Sequence, residues 1–220
     1  MEAQKAGKPV LFLDAGANIG LVTIGLLRRA PFRALALEPD GAAHALLVAN
    51  MKTQGLSGRV RVLRVAAGAP KHPGRYVLLQ RHPGNGGDIR VSDETLDSSE
   101  APLVGLDALL EDEDSQLLLK IDVQGYEPEV VAGALQSLAR ARLAVVEFWP
   151  YGLRCRGHDP LGFACKLLAL AASVALIEDE HCCQQPVWID REEALSRLRQ
   201  FTNDKAEPDH QLEILMRPSE

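Results

Sequence analysis

A chain of 220 residues, 46% of them hydrophobic, can bury one sizeable core and is short for two. Its formal net charge of -6 argues against nucleic acid and anionic membranes as default partners. The amino terminus, Met1 to Lys8, lacks the apolar run of a signal peptide, and the longest apolar stretch, Leu167 to Ile177, is far short of a membrane span. A soluble, cytoplasmic protein is expected, with one domain over residues 1–220 and residues 1–8 as a short extension. Cys155, Cys165, Cys182 and Cys183 form no CxxC pair. His181 beside Cys182 and Cys183 fits no common zinc spacing, so free thiols and no metal are expected.

In chain order, the first strand is Val10 to Asp14, apolar enough to be buried on both faces. A glycine-containing turn, Ala15 to Gly20, leads into a helix over Leu21 to Ala30, which Pro31 ends. A second strand, Ala34 to Leu37, closes on Glu38-Pro39. A helix from Ala42 to Gln54 stops at Gly55, and a third strand runs from Val60 to Ala66. Tyr76 to Gln80 reads as a short strand, His82 to Asp88 as a turn, and residues 92–102 as a surface loop. A short helix at Leu106 to Glu111 precedes the fourth central strand, Leu117 to Val123. A helix from Pro128 to Arg140 presents Val130, Val131, Ala134, Leu135 and Leu138 on one face. The fifth strand is Leu143 to Phe148. Helices at Leu161 to Ala172 and Arg191 to Phe201 alternate with strands at Val174 to Ile177 and Leu212 to Met216. This alternation predicts an α/β fold: a seven-stranded, mostly parallel sheet with an antiparallel final strand and helices on both faces. The chain opens almost directly on the first strand, which predicts a shortened chain or an open pocket.

Three segments carry chemistry. Asp14-Ala15-Gly16-Ala17-Asn18-Ile19-Gly20 joins strand to helix. Its glycines permit a tight turn and close ligand approach, and free amides at the next helix are expected to face that ligand. It departs from the dinucleotide pattern G-x-G-x-x-G, because Asn18 and Leu21 stand where two glycines would fall. Asp14 suits a ligand with an ammonium group, such as S-adenosylmethionine, better than a diphosphate. Glu38, followed by Pro39, ends the second strand, where an acid chelates ribose hydroxyls. Lys120-Ile121-Asp122-Val123-Gln124-Gly125-Tyr126-Glu127 puts two carboxylates at the carboxyl edge of the fourth strand, where open α/β sheets bind ligands. Asp122 is placed nearest the reacting methyl group, and Glu127 either joins it or caps the following helix.

FLDAGANIG, LEPD with Asn50 after it, LLLKIDVQGYEPEVVAGA and VVEFWPYGL together resemble the FkbM family of methyltransferases, in order from about residue 10 to residue 153. The resemblance implies a Rossmann-like methyltransferase fold, S-adenosylmethionine as donor and O-methylation of a sugar or other small molecule. By position it implies Asp14, Gly16, Ala17, Asn18 and Gly20 for the cofactor loop, Glu38 and Pro39 for the ribose side, and Ala66 and Asp122 further along the cofactor. Asp122, Gly125 and Glu127 match the family's D-x-E-G-x-E segment, with Gln124 where glutamate is usual.

The expected reaction is an in-line displacement, in which positioning and dehydration carry much of the work and Asp122 or Glu127 takes the acceptor's proton. His82 is a further candidate base or a solvated loop histidine. Asn85, Gly86 and Gly87 read as a substrate flap or an ordinary turn. Trp149 and Tyr151 read as acceptor-pocket lining or buried packing. A nicotinamide-dependent oxidoreductase and a non-catalytic cofactor-binding module are the rival readings. The acceptor and the oligomeric state are left open.

Overall fold

The computed structural model describes residues 8–69, 76–82, 85–92, 99–178, 185–204 and 210–218. It opens with β1 (Val10–Ala15), α1 (Leu21–Arg29), β2 (Arg33–Leu37), α2 (Gly41–Thr53) and β3 (Val60–Leu63). β1 alternates between two cores. Leu11, Leu13 and Ala15 enter the larger one, while Phe12 enters a smaller one with Ala34, Ala36, Leu47 and Met51. Both faces are therefore covered, which explains the unbroken apolar run. α2 begins at a well-made cap: Asp40 Oδ1 accepts hydrogen bonds from the amides of Ala42 and Ala43 at 3.0 and 2.8 Å.

The middle of the chain departs from the sequence reading. The expected third strand divides into β3 and a two-residue β4 (Ala66–Ala67). β4 leaves the main sheet to pair in parallel with β7 (Ser99–Val104), which also pairs antiparallel with β5 (Tyr76–His82). β5 pairs in turn with β6 (Asn85–Ser92). The expected turn at His82–Asp88 is thus largely strand, and part of the expected loop at 92–102 is β7. These strands make a second sheet of four, with its own small core of Ala66, Val77, Leu79, Ala101 and Leu103.

Beyond it come α3 (Leu106–Leu109), β8 (Gln116–Ile121), α4 (Glu127–Ala132), α5 (Leu135–Ala139) and β9 (Ala141–Phe148). The single helix expected over 128–140 is broken at Gly133 and Ala134, where the Asp107 amide takes the Gly133 carbonyl as its acceptor. α6 (Pro150–Cys155) was not anticipated. α7 (Pro160–Leu168), β10 (Ala171–Ile177), α8 (Arg191–Asp204) and β11 (Leu212–Pro218) complete the chain. Cys155 and Cys165 are free, exposed thiols. His181, Cys182 and Cys183 lie outside the described residues.

The main sheet has seven strands in the order β10-β11-β9-β8-β1-β2-β3. β1 pairs in parallel with β2 on one side and β8 on the other, and β11 is antiparallel to both its neighbours. Strand order reverses between β1 and β8. The carboxyl ends flanking that point are where an open α/β sheet forms a crevice for ligands. No helix among the described residues is long and apolar enough to cross a membrane.

Candidate functional site

The turn from β1 to α1 is held by other parts of the protein. Gly16 adopts φ 80°, and a Cβ there would lie 1.8 Å from the Asp122 carbonyl oxygen, so only glycine lets this turn meet the end of β8. The amides of Gly16 and Ala17 donate to the Leu37 carbonyl at 3.1 and 2.9 Å, and the Gly20 amide to Ala17 at 2.8 Å. These turn amides are therefore committed internally and are not among the free amides expected at the start of α1. Ala17 is buried. Gly20 (φ 91°) meets α2, where a Cβ would strike Leu47 and Met51, so its role is packing α1 on α2. Asn50 fixes the same junction, donating to the Ile19 carbonyl at 2.8 Å.

Glu38 joins the turns after β1 and β2. Its Oε2 accepts from the Asn18 amide and its Oε1 from the Asp40 amide, both at 2.8 Å. The residue is only 5% exposed. Burial pushes its carboxyl above the usual range. The two amide bonds oppose the shift, and the charges of Asp40 and Asp14 add to it. Each oxygen keeps a further acceptor position.

The turn after β8 carries the second group. Asp122 accepts from Lys120 Nζ at 2.8 Å on Oδ2 and from Gln124 Nε2 at 3.2 Å on Oδ1. Gln124 is held at φ 57°, a left-handed conformation unusual for a side-chain-bearing residue, followed by Gly125 at 88°. Lys120 also reaches Asp14 Oδ1 at 3.5 Å. Asp14 is fully buried, and its Oδ2 accepts from Thr23 Oγ1 at 2.6 Å. The ammonium beside it is thus the protein's own Lys120. Burial opposes the charge on Lys120, but Asp122 and Asp14 outweigh it and raise its pKa.

Glu127 is fully buried, and its Oε1 accepts from the amides of Val123 and Gly125 at 2.9 and 3.2 Å. It closes the turn that presents Asp122. Burial pushes its carboxyl up to about 7; backbone hydrogen bonds oppose the rise, and the charge of Asp122 adds to it. Behind this turn the structure places a residue the sequence reading assigned no role. Glu147, near the carboxyl end of β9, is 1% exposed and stands opposite Glu213 of β11. Burial raises its pKa well above the ordinary value, helped by Asp122, Glu127 and Glu213 and opposed by Lys120. Glu147 and Lys120 had one signal in common: a charge inside an otherwise apolar strand.

Gly16, Asn18, Glu38, Pro39, Asp122, Val123 and Gln124 line one cleft of about 110 Å³. The structure thus brings together the ends of β1, β2 and β8. It keeps Asp14, Ala17, Gly20 and Glu127 behind this surface and Ala66 in the small core of the second sheet. A larger cleft, about 310 Å³, is lined by Arg33, Gly58, Arg59 and Glu113. Arg33 begins β2 and Gly58 and Arg59 precede β3, so this cleft sits at the opposite edge of the sheet. Its Arg59 is committed to the carbonyls of Leu27, Ala30 and Phe32. The smaller cleft lies where strand order reverses, the place at which open α/β sheets bind ligands. Trp149 is buried and packs with its ring 5.8 Å from that of Tyr151. The side chains of His82 and Asn85 lie outside the described residues. Among the described residues no group of three or more His, Cys, Asp or Glu is placed to hold a metal ion.

Residues 14–154 match the family model of the methyltransferase FkbM domain. No curated protein sequence matches the chain. Similar solved structures include the C-terminal domain of precorrin-6Y C5,15-methyltransferase from Rhodobacter capsulatus, with 14% identity, a TM-score of 0.48 and coverage of 99% of this chain and 83% of that one. Human methyltransferase 10 domain containing protein gives 12%, 0.49, 99% and 74% in the same measures. TrmK from M. capricolum, in complex with S-adenosyl-homocysteine, gives 9%, 0.49, 98% and 65%.

Proposed function

The chain belongs to the FkbM methyltransferase family, and on that premise we propose that it transfers a methyl group from S-adenosylmethionine to a hydroxyl oxygen of a small molecule or sugar. The observation that carries the reading is the cleft with Glu38 on one wall and Asp122 on another. The donor set fits the cofactor. Glu38 is fixed by two amides yet retains acceptor positions for a ribose diol. Asp122 supplies negative charge for the cationic end. The amides of Gly16 and Ala17 are committed to Leu37, and Asn18 and Leu21 stand where the dinucleotide pattern has its second and third glycines, which counts against a nicotinamide cofactor.

Bound S-adenosylmethionine would supply a methyl group already activated as a sulfonium. The chain's own residues then orient and deprotonate. Asp122, with its side chain 28% exposed on the cleft wall, is the group placed to accept a hydroxyl proton. Lys120 and Gln124 fix its two oxygens, so its direction is set before a substrate arrives. Glu127 holds the turn from beneath and is not among the residues that line the cleft. The clamp on Asp122 also favours a second reading, a cofactor-binding module that has lost turnover. Calorimetry with S-adenosylhomocysteine and NAD in parallel, followed by a turnover screen on sugars and hydroxylated metabolites, tests these readings. Binding of S-adenosylhomocysteine with turnover supports the enzyme, binding without any turnover supports the module, and preference for NAD overturns both.

A further inference from the structure

Five carboxylates gather at the carboxyl edge of the sheet, four of them acting on Lys120. Asp14 comes from β1, Asp122 from the turn after β8, Glu147 from β9 and Glu213 from β11, and Glu127 at the start of α4 acts on Glu147. Three of these acids are essentially inaccessible: Asp14 and Glu127 at 0% and Glu147 at 1%. Each has an oxygen buried without a hydrogen bond, namely Asp14 Oδ1, Glu127 Oε2 and Glu147 Oε2. A buried carboxylate oxygen with no donor is tolerable when the group carries a proton and costly when it is ionised. Lys120 provides the neighbouring cation, and it is already engaged by Asp122 and Asp14. Glu147 therefore has acids on both sides, Glu213 across the β9–β11 pair and Asp122 and Glu127 on the β8 side, and Lys120, the cation that opposes them, is shared with Asp122 and Asp14.

We propose that Glu147, with Glu127 beside it, forms a proton store behind Asp122 that discharges when a cation occupies the cleft. The proposal rests on S-adenosylmethionine being the ligand. Its sulfonium would bring a fixed positive charge to the Asp122 side. That charge favours the ionised form of the acids behind, so a proton passes from the carboxyl to solvent as the cofactor binds. No bond other than O–H breaks, and the ligand's charge replaces the proton's. S-adenosylhomocysteine lacks the sulfonium and displaces the proton less. The store makes the site distinguish donor from spent product by charge, and this preference strengthens as pH rises, by up to about tenfold per pH unit for each proton released by the donor beyond those released by the product.

The experiment is titration calorimetry of the full chain with S-adenosylmethionine and with S-adenosylhomocysteine. Each is run in two buffers of different ionisation enthalpy, which counts protons, and dissociation constants are taken at about pH 6 and about pH 8. Net proton release with S-adenosylmethionine, smaller release with S-adenosylhomocysteine and a ratio of affinities that moves toward the donor with pH are expected. Glu147→Gln should shrink both effects. Tight binding of both ligands with equal heats in the two buffers overturns the proposal and leaves the cofactor reading standing. Undiminished release in a folded Glu147→Gln also overturns it. Should that variant fail to fold, the parent's donor-to-product affinity ratio still decides, because a ratio flat with pH overturns it. Binding of neither ligand overturns the cofactor reading and this proposal with it.

Discussion

Lys120 Nζ sits 2.8 Å from Asp122 Oδ2, and through Asp14 at 3.5 Å it also joins the end of β1 to the end of β8. One largely buried cation thus ties together the carboxylates at the ends of the two strands that frame the cleft. Removing it would leave the fully buried Asp14 side chain with Thr23 as its remaining side-chain partner. Breaking a buried pair by deleting one partner typically destabilises by about 3–5 kcal/mol. Lys120→Met, which keeps the aliphatic stem, should lose about that much in denaturant unfolding. Asp14→Asn in the same background should recover part of it, since the uncompensated charge is then gone.

Glu38 is expected to serve both binding and stability. A strand-end acid reads from sequence as a surface group, yet this one accepts the amides of Asn18 and Asp40 while buried. Glu38→Ala leaves both amides without an acceptor, at a cost of about 1–3 kcal/mol each if water does not replace it. A melting scan without ligand should show the loss. Loss of a charged hydrogen bond to the ribose, about 1.5–3 kcal/mol, should weaken S-adenosylhomocysteine binding by more than about tenfold. Glu38→Gln, whose amide oxygen can still accept, should recover more stability than affinity. Equal recovery of both would place Glu38 outside the ligand contact.

Glu127 makes stability fall as pH rises. Its carboxyl titrates at about 7 in the folded chain against an ordinary 4.5, so the folded state holds the proton more tightly than the unfolded one. Between about 4.5 and about 7 the folded state therefore binds more protons, and raising pH across that window removes stability. Glu38 and Glu147 are shifted in the same direction and add the same sign. Glu127→Gln lacks its share of this loss. Its melting temperature relative to the parent should increase from pH 5 to pH 7.5, roughly spanning that window. A difference that is constant with pH would show that Glu127 does not titrate there.

The parts of the fold that were legible in the sequence are those whose signal is local. β1 and β8 are covered on both faces, so VLFLD and LLLKI read as buried strands without knowledge of their neighbours. β6 and β7 are different. NGGDIRVS and SEAPLV carry glycine, proline and charge, and they became strands through pairing with β5 and β4. The site divided in the same way. Glu38 and Asp122 end strands next to recognisable turns. Glu147 acquires meaning only when β9 lies between β8 and β11, because the acids that raise its pKa come from elsewhere in the chain. Likewise the commitment of the Gly16 and Ala17 amides to Leu37 depends on the β1–β2 pairing and has no trace in the turn's own residues.

Asp122 and Glu127 are five residues apart, and their environments assign them opposite work. Asp122 lies on the cleft wall with its oxygens held by Lys120 and Gln124. Glu127 is sealed beneath the turn, accepting its amides. If Asp122 takes the acceptor's proton, Asp122→Asn should retain S-adenosylhomocysteine affinity within a few fold, while methyl transfer falls by about 10² to 10⁴, the usual span for loss of a general base. Glu127→Gln keeps an oxygen to accept the Val123 and Gly125 amides, so its turnover should stay within a few fold of the parent. Gln124→Gly separates direction from charge. It removes the hydrogen bond to Asp122 Oδ1 and relieves a left-handed residue, a strain of roughly 1–2 kcal/mol for a side-chain-bearing position. This variant should melt no lower than the parent and turn over more slowly. All four proteins are compared by binding, melting and single-turnover rate on one acceptor from the screen. Asp122→Asn at the parent rate would eliminate the base and leave positioning of the two substrates as the whole of the protein's contribution.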